Sequence, residues 1–533
     1  MEKKPSEWAI KRYGLLLAQL LVNRNLDELP PSEGLPPPSE LPNLEGAVEK
    51  ILRAAEEDKP VVLFGDYDVD GITSTALMTI FLKKLGFEKI YSVVPERSWG
   101  YGLSPEAAEK ITRLSERGLI VALDNGTKEV ETFELVKRKG WDGVIFDHHK
   151  LGEILPDADL VNPKLLEKDP SGLKDLSTVG LVYLFGKYLE SLGFEVGADE
   201  YLDLVALGTV ADVSPMGPAN SRLVDRGLQI LRERGGSVPL IKLLTEKLKL
   251  VEPNEHDISF KLAPRINAFG RMGRANDGLR GLLADSEESA ARYLEKMEKL
   301  NEERKRLTER ATAVVLKHFE REPSEALVFY SPDIPKGILG IIAGRVTSLL
   351  GVPSVVLSRG GKGELVGSSR SPEGLDIVEV LKELEDLMIK WGGHSQAAGL
   401  SLKAENLGEF KRRFTLAVGR KKVEPPPLNI DFPLEPLKLL KSEKLLRLID
   451  RLSPFGVGNP FPTFVFEDVL KDFKRTRYGY KLIFEKNGSM FVNTEGDREK
   501  IPPVVRNRRV RVVYTLRNPR RAEAVVEDFM VIS

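Results

Sequence analysis

The stretch VVLFGDYDVDG, Val61 to Gly71, opens as a buried strand and closes as a cluster of acids. Four apolar residues in a row, without polar alternation, suit a strand covered on both faces. Asp66, Asp68 and Asp70 follow at once, although neighbouring carboxylates repel. The same juncture recurs: Leu119 to Leu123 runs into Asp124, and Gly143 to Phe146 runs into Asp147, His148 and His149. Between these runs, Ser74 to Leu85 and Val130 to Lys139 have the apolar spacing of amphipathic helices. That alternation, from about residue 46 to 231, predicts an α/β fold with a doubly wound parallel sheet. Ligands of such sheets collect outside the carboxyl ends of the strands, so the acidic junctures are expected to converge.

The composition narrows the chemistry. At 533 residues the chain exceeds one core and predicts three or four domains. Its 79 Lys plus Arg nearly balance 80 Asp plus Glu, so only local patches argue for a polyanionic partner. There is no cysteine, which excludes disulfides and thiolate metal sites and leaves carboxylates and imidazoles as ligands. With only 5 histidines in the chain, the adjacent pair His148 and His149 stands out. A charged fraction of 30% with glutamine only at Gln19, Gln229 and Gln396 suits a protein selected for heat. No apolar run approaches the roughly 18 residues of a membrane span, and MEKKPSEW is no signal peptide, so a cytoplasmic location is expected.

Five segments are expected. Residues 1–45 hold a helical arm, Trp8 to Leu21, and a Pro-rich linker; 46–231 form the parallel-sheet domain. Residues 232–325 are helical and end in a long connecting helix, Ser286 to Phe319, with an apolar seam of Leu294, Met297, Leu300 and Leu307. A second α/β domain occupies 326–423 and contains WGGHSQAAG. Residues 424–533 carry β-type runs at Thr463 to Phe466, Lys481 to Phe484 and Val510 to Tyr514, which predict a small OB-like barrel. There KDFKRTRYGYK and VVRNRRVRVVY alternate cations, Arg475 and Arg477 among them, with Phe473, Tyr478, Tyr480 and Tyr514, a pattern suited to tracking a backbone and stacking bases.

Hard divalent cations need several carboxylates plus neutral imidazoles, and an ion pair needs a bridging carboxylate. Asp66 and Asp68, two apart, point the same way from an extended loop. Asp124 ends its run, and His148 and Asp212 follow other strand-like segments. Asp70 precedes Gly71 and a helix expected near Thr73, so capping accounts for it as well as ligation does. One such Asp is ordinarily a turn residue and one His a surface or core residue. A double His after Asp, at a second strand end of the same sheet, has no common structural use.

GDYDVDG, ALDNG, FDHHK and LGTVADVSP resemble the four motifs of the DHH phosphoesterases, and their order and spacing resemble the RecJ family of single-strand-specific 5′ exonucleases. So do PERSWGYGL, PRINAFGR, GILGIIAGR, GSSRS, GGHSQAAG and PFGVGNPFP; the likeness covers residue 46 to at least 466. It implies a DHH-type domain joined by a long helix to a DHH-associated domain. It also implies two Mn²⁺ or Mg²⁺ ions on Asp66, Asp68, Asp124, His148 and Asp212, with Asp124 bridging and His149 facing the scissile phosphate. Arg97, Tyr101, Arg265, Asn267 and Arg271 would touch the strand; Ser369, Arg370, Ser371 and His394 would hold phosphates, and Arg475, Arg477 and Tyr478 the single-stranded DNA beyond. The implied setting is DNA repair and recombination, as a monomer fed by a helicase or a single-strand-binding protein. Phe64, Asn125 and Pro335 depart from the pattern, standing where relatives commonly have His, Cys and His. Two other readings belong to the same fold: a phosphodiesterase of nanoRNA or cyclic dinucleotides, and a catalytically inactive replication scaffold. The added domains favour a polymeric substrate, and the filled ligand positions disfavour a scaffold.

Overall fold

The computed structural model describes residues 4–26, 34–96, 102–169, 171–421, 429–476, 479–493 and 506–532. The apolar runs form a parallel sheet of β1 (Val61–Gly65), β2 (Ile90–Val93), β3 (Leu119–Leu123), β4 (Asp142–Phe146) and β5 (Asp159–Val161). Their order is β2-β1-β3-β4-β5 and each neighbouring pair is parallel. Strand order therefore reverses between β1 and β3, which opens a crevice at their carboxyl ends. Alternate side chains enter two cores: Val61, Leu63, Leu119, Val121, Val144 and Phe146 on one face, Val62, Phe64, Ile120, Ala122 and Ile145 on the other. Burial on both faces is why these strands read as unbroken apolar runs.

After β1 the chain enters α1 (Val69–Lys84). This helix starts five residues before the expected Ser74 and is not amphipathic: both its apolar and its Ser/Thr positions are buried. The hydroxyls of Thr73, Thr75 and Thr79 donate to carbonyls four residues earlier, at 2.6–2.7 Å, so a face that looked polar carries its own partners inside the fold. α2 (Thr178–Ser191) and α3 (Leu202–Ala211) add to the same face. Asp212 thus follows a helix, not the expected strand-like segment. The N-terminal arm is two helices, Glu7–Tyr13 and Leu15–Asn23, broken at Gly14, whose φ of 79° continues neither.

Packing divides the chain into two units, residues 1–298 with 430–466 and 512–528, and residues 299–429 with 467–511 and 529–533. In the second, β6 (Leu327–Tyr330), β7 (Ser354–Arg359), β8 (Glu364–Arg370), β9 (Met388–His394) and β10 (Ala397–Lys403) are ordered β6-β7-β8-β10-β9. Only β6 and β7 are parallel. GSSRS ends β8, and WGGHSQAAG is the β9–β10 hairpin. In sequence, α4 (Ala263–Arg271) is followed by α5 (Glu287–Arg321), which precedes these strands. Its seam differs from expectation: of the four apolar residues named, only Met297 is fully buried, while Asn301, Thr308 and Thr312 take other deeply buried positions. Toward the C-terminus, β11 (Phe432–Pro433), β12 (Thr463–Thr476), β13 (Gly479–Phe484), β14 (Gly488–Asn493), β15 (Arg508–Asn518) and β16 (Glu523–Val531) are ordered β11-β12-β13-β14-β16-β15. A further β12–β15 pairing closes the sheet on itself, as a small barrel requires. Among the described residues no helix is long and apolar enough to cross a membrane.

One internal carboxyl sits at a joint of the first unit. Glu255 is buried and accepts a hydrogen bond from the Phe455 N–H at 3.1 Å. Burial, only partly offset by that bond, raises its pKa from 4.5 to about 7. Between those values the folded protein holds a proton that the unfolded chain has lost, so stability falls as pH rises through the window. Glu255→Gln keeps an acceptor and removes the ionisation. Its stability advantage over the parent in urea melts is expected to grow between about pH 5 and about pH 8, by at most about 3 kcal/mol; a flat difference would contradict the assignment.

Candidate metal centre

The site forms where three strand ends and one helix end meet. Gly65 leads β1 into Asp66, and the loop turns so tightly that a Cβ on Gly71 would collide with the Asp66 main chain. Asp68 is the N-cap of α1, with Oδ1 accepting from Gly71 N–H at 3.0 Å. Asp124 leaves β3 with φ of 66°, a left-handed conformation that Asp tolerates better than most residues, and its Oδ1 accepts from Thr178 Oγ1 at 3.1 Å. Asp212 ends α3 and accepts from Ser214 Oγ at 2.6 Å. The next residue, Val213, has φ of 63° although it is β-branched, a conformation that costs on the order of 1–3 kcal/mol and collects at functional sites.

His148, after β4, lies between these acids: Nε2 is 3.5 Å from Asp124 Oδ1 and 3.7 Å from Asp212 Oδ2. That nitrogen is buried and has no hydrogen-bond partner among the described residues. Potential ligand atoms lie within 4.8 Å of one another in three groups, Asp66–Asp68–Asp124, Asp124–His148–His149 and Asp70–His148–Asp212. Asp124 and His148 each belong to two groups, so the arrangement suits two neighbouring cations that share a carboxylate. Burial, then the charges of Asp70, Asp68, Asp66 and Asp212, push the Asp124 carboxyl well above the usual range. Burial lowers His148, although Asp212 opposes it, and so favours the neutral imidazole that binds metals. Oxygen donors, a neutral ring and an orphaned buried nitrogen fit hard divalent ions.

The two histidines differ in state. His149 Nδ1 is 2.7 Å from Oδ1 of Asp147, whose carboxylate also accepts from the N–H groups of Thr127 and His149. Burial alone would raise Asp147 and lower His149. Their hydrogen bond and opposite charges win, holding Asp147 at about 2 and raising His149 to about 9. His149 is therefore a cation at neutral pH. Asp70 does cap a helix, but not its own: its carboxylate accepts from the N–H groups of Thr178 and Val179, 2.8 and 2.9 Å away, at the start of α2. Phe64 is buried in the core beneath the sheet, and Asn125 ties β1 to β3 through the carbonyls of Phe64 and Leu123.

The remaining expected residues fall in several places. α4 carries PRINAFGR against the acidic loop, since a Cβ on Gly270 would strike the Tyr67 carbonyl. On it Arg265 pairs with Glu298 at 2.7 Å, Asn267 Oδ1 is buried without a partner among the described residues, and Arg271 is half-buried. In the second unit, Ser369 and Ser371 are buried with their hydroxyls on backbone carbonyls, which gives both a structural use. Arg370 donates to Ser368 Oγ and the Ser369 carbonyl, and among the described residues no carboxylate lies within ion-pair distance of it. His394 is exposed on its hairpin. Arg97, Tyr101, Arg477, Tyr478 and the Arg475 side chain lie outside the described residues. Sequence reading missed three supports. Thr178 holds Asp124, and Asn162 donates to the His149 carbonyl. The PFGVGNPFP turn receives the Met216 N–H on the Val457 carbonyl at 2.7 Å, bracing the segment after Asp212. Asn162 follows β5 and was legible as another polar strand end.

The chain matches the DHH family, N-terminal domain, over residues 60–209 and the DHHA1 domain over residues 324–419. It is 34% identical over 463 residues to the single-stranded-DNA-specific exonuclease RecJ of Salmonella typhimurium, covering 81% of this chain and 79% of that protein. The Thermus thermophilus protein of the same name is 31% identical, covering 89% of this chain and 69% of its own length. A crystal structure of RecJ in complex with Mn²⁺ from Thermus thermophilus superposes with a TM-score of 0.83 at 26% identity, over 99% of this chain and 79% of that one.

Calorimetric titration with Mn²⁺ separates the histidines. His148→Ala removes a ring nitrogen poised for an ion and is expected to weaken binding roughly tenfold or more, whereas His149→Ala leaves affinity near that of the parent. The reverse ranking would overturn the division of roles.

Proposed function

The chain belongs to the RecJ family, and from that premise we propose that it is a metal-dependent exonuclease that removes nucleotides from the 5′ end of single-stranded DNA, in repair and recombination. The observation that carries this reading is the convergence of Asp66, Asp68, Asp124, His148 and Asp212 on one crevice, with Asp124 and His148 shared between neighbouring ligand groups. Those five side chains would hold two Mn²⁺ or Mg²⁺ ions, which when bound supply an activated water and neutralise phosphate oxygens.

The chain's own residues do the rest. Asp147 holds His149 by Nδ1, and the charged ring, on a side chain 39% exposed, would donate to a phosphate oxygen as negative charge develops. Thr178 and the left-handed backbone at Asp124 keep the shared carboxylate in one orientation. In the second unit, Arg370 is a desolvated guanidinium with no carboxylate partner among the described residues, and Ser369 and Ser371 fix the strand that carries it. An anion such as the terminal phosphate would complete its charge, with His394 near the hairpin turn as a second donor. Arg265 and Glu298 hold α4 in place, from which Asn267 and Arg271 would face the strand.

The chain would work as a monomer in the cytoplasm on strands exposed by a helicase or handed over by a single-strand-binding protein.

Strands labelled at one end or the other test the reading. With Mn²⁺, the 5′ label is expected as released mononucleotide from the first turnovers, while the 3′ label stays on a shortening strand. Release from the 3′ end, or cleavage restricted to dinucleotides, would overturn it. His149→Ala is expected to lower kcat about a hundredfold at any Mn²⁺ concentration; rescue by excess metal would remove His149 from the phosphate.

A further inference from the structure

Ten residues before the Gly270 that packs on the acidic loop, the same helical run carries an aromatic stack that the metal centre does not use. Phe260 is 63% exposed, and its ring lies on that of His256 with centroids 4.4 Å apart and planes 28° from parallel. Local chemistry explains the outward turn. Pro264 has no N–H, and its ring crowds the carbonyl four residues back, that of Phe260. The chain widens into a π turn over Ile258–Leu262, in which Ala263 N–H donates to the Ile258 carbonyl. Such turns recur at functional sites.

The rim of the stack is cationic. Lys261 and Arg521 share Asp257 at 2.6 and 3.1 Å, and Arg517 pairs with Glu527 at 3.3 Å, so three cations face two acids. Burial and the nearby Arg517 charge hold His256 at about 4, which keeps its ring neutral behind Phe260. Arg517 is the last residue but one of β15 and Arg521 lies in the turn that follows; Asn254 Nδ2 donates to the Arg517 carbonyl at 2.8 Å. The stack therefore stands between the C-terminal strands and α4, on the order of 15 Å of helix from the residue that touches Tyr67.

We propose that Phe260, backed by His256, is a base-stacking platform for single-stranded DNA on its way between the C-terminal strands and the metal centre. The inference rests on the nuclease reading above. Every base offers a π face and every linkage a phosphate, so an exposed neutral ring inside a cationic rim binds a strand without reading its sequence. A purely apolar protein partner would leave the surplus cation unused.

Full-length protein with Mn²⁺ tests it, using a long oligothymidylate and a thymidine dinucleotide too short to reach the stack. Phe260→Ala is expected to raise the KM and Kd for the long strand about tenfold and to lower its kcat/KM relative to the dinucleotide by the same factor. Phe260→Trp is expected to match the parent, with the introduced indole quenched when the strand binds. If the parent degrades the long strand and Phe260→Ala binds it equally well, or if the variant loses the dinucleotide in equal proportion, the platform is wrong. A parent that neither binds nor cuts the long strand would overturn the nuclease reading and this inference with it.

Discussion

Neighbouring carboxylates repel one another, and the first unit holds four of them, two fully buried, around one crevice. Asp66 and Asp68 are set by the tight approach of Gly71 and by the cap of α1, Asp124 by its left-handed backbone and Thr178, and Asp212 by Ser214 and the strained Val213. Each restraint is local, but each leans on an element of the parallel sheet or the helices covering it. The raised pKa of Asp124 records its burial first and then the repulsion of its neighbours. A site assembled against its own charge is poised to gain most from a cation, which is why the fold and the chemistry are difficult to separate here.

The same surroundings divide residues that are chemically alike. Asp70 sits in the acidic loop, yet both of its oxygens are occupied by the first N–H groups of α2, where a helix N-terminus welcomes negative charge. His148 and His149 are adjacent, but burial shifts one ring toward its neutral form among acids and the other is charged by its bond to Asp147. Two rings of opposite electrostatic character thus come from consecutive positions on one loop, which is what the proposed division between an ion ligand and a phosphate donor requires.

Distant segments complete the centre. The PFGVGNPFP turn is more than two hundred residues from Asp212 in sequence, yet it braces Met216, and Phe455 in the same turn meets Glu255. α4 reaches the acidic loop through Gly270 and carries the Phe260 stack at the far end of its helical run. The acidic loop and α4 meet at Tyr67 and Gly270, and Asn254, just before that helical run, meets the Arg517 carbonyl of β15.

The sheet was legible because both of its faces are buried: Val61–Phe64, Leu119–Leu123 and Gly143–Phe146 must be apolar throughout, and polar residues can gather only at their ends. That constraint alone located Asp66, Asp68, Asp124, His148 and His149 and the side of the sheet they share. The pattern could not show that α1 is buried all round, because Ser and Thr satisfied by their own helix look the same in sequence as Ser and Thr facing water. Nor could it show that Asp212 follows a helix, that Asp70 serves α2, or that Ser369 and Ser371 bond inward. A side chain's type is written in the chain, but its partners are set by which segments meet, and those meetings depend on packing between residues that lie far apart in sequence.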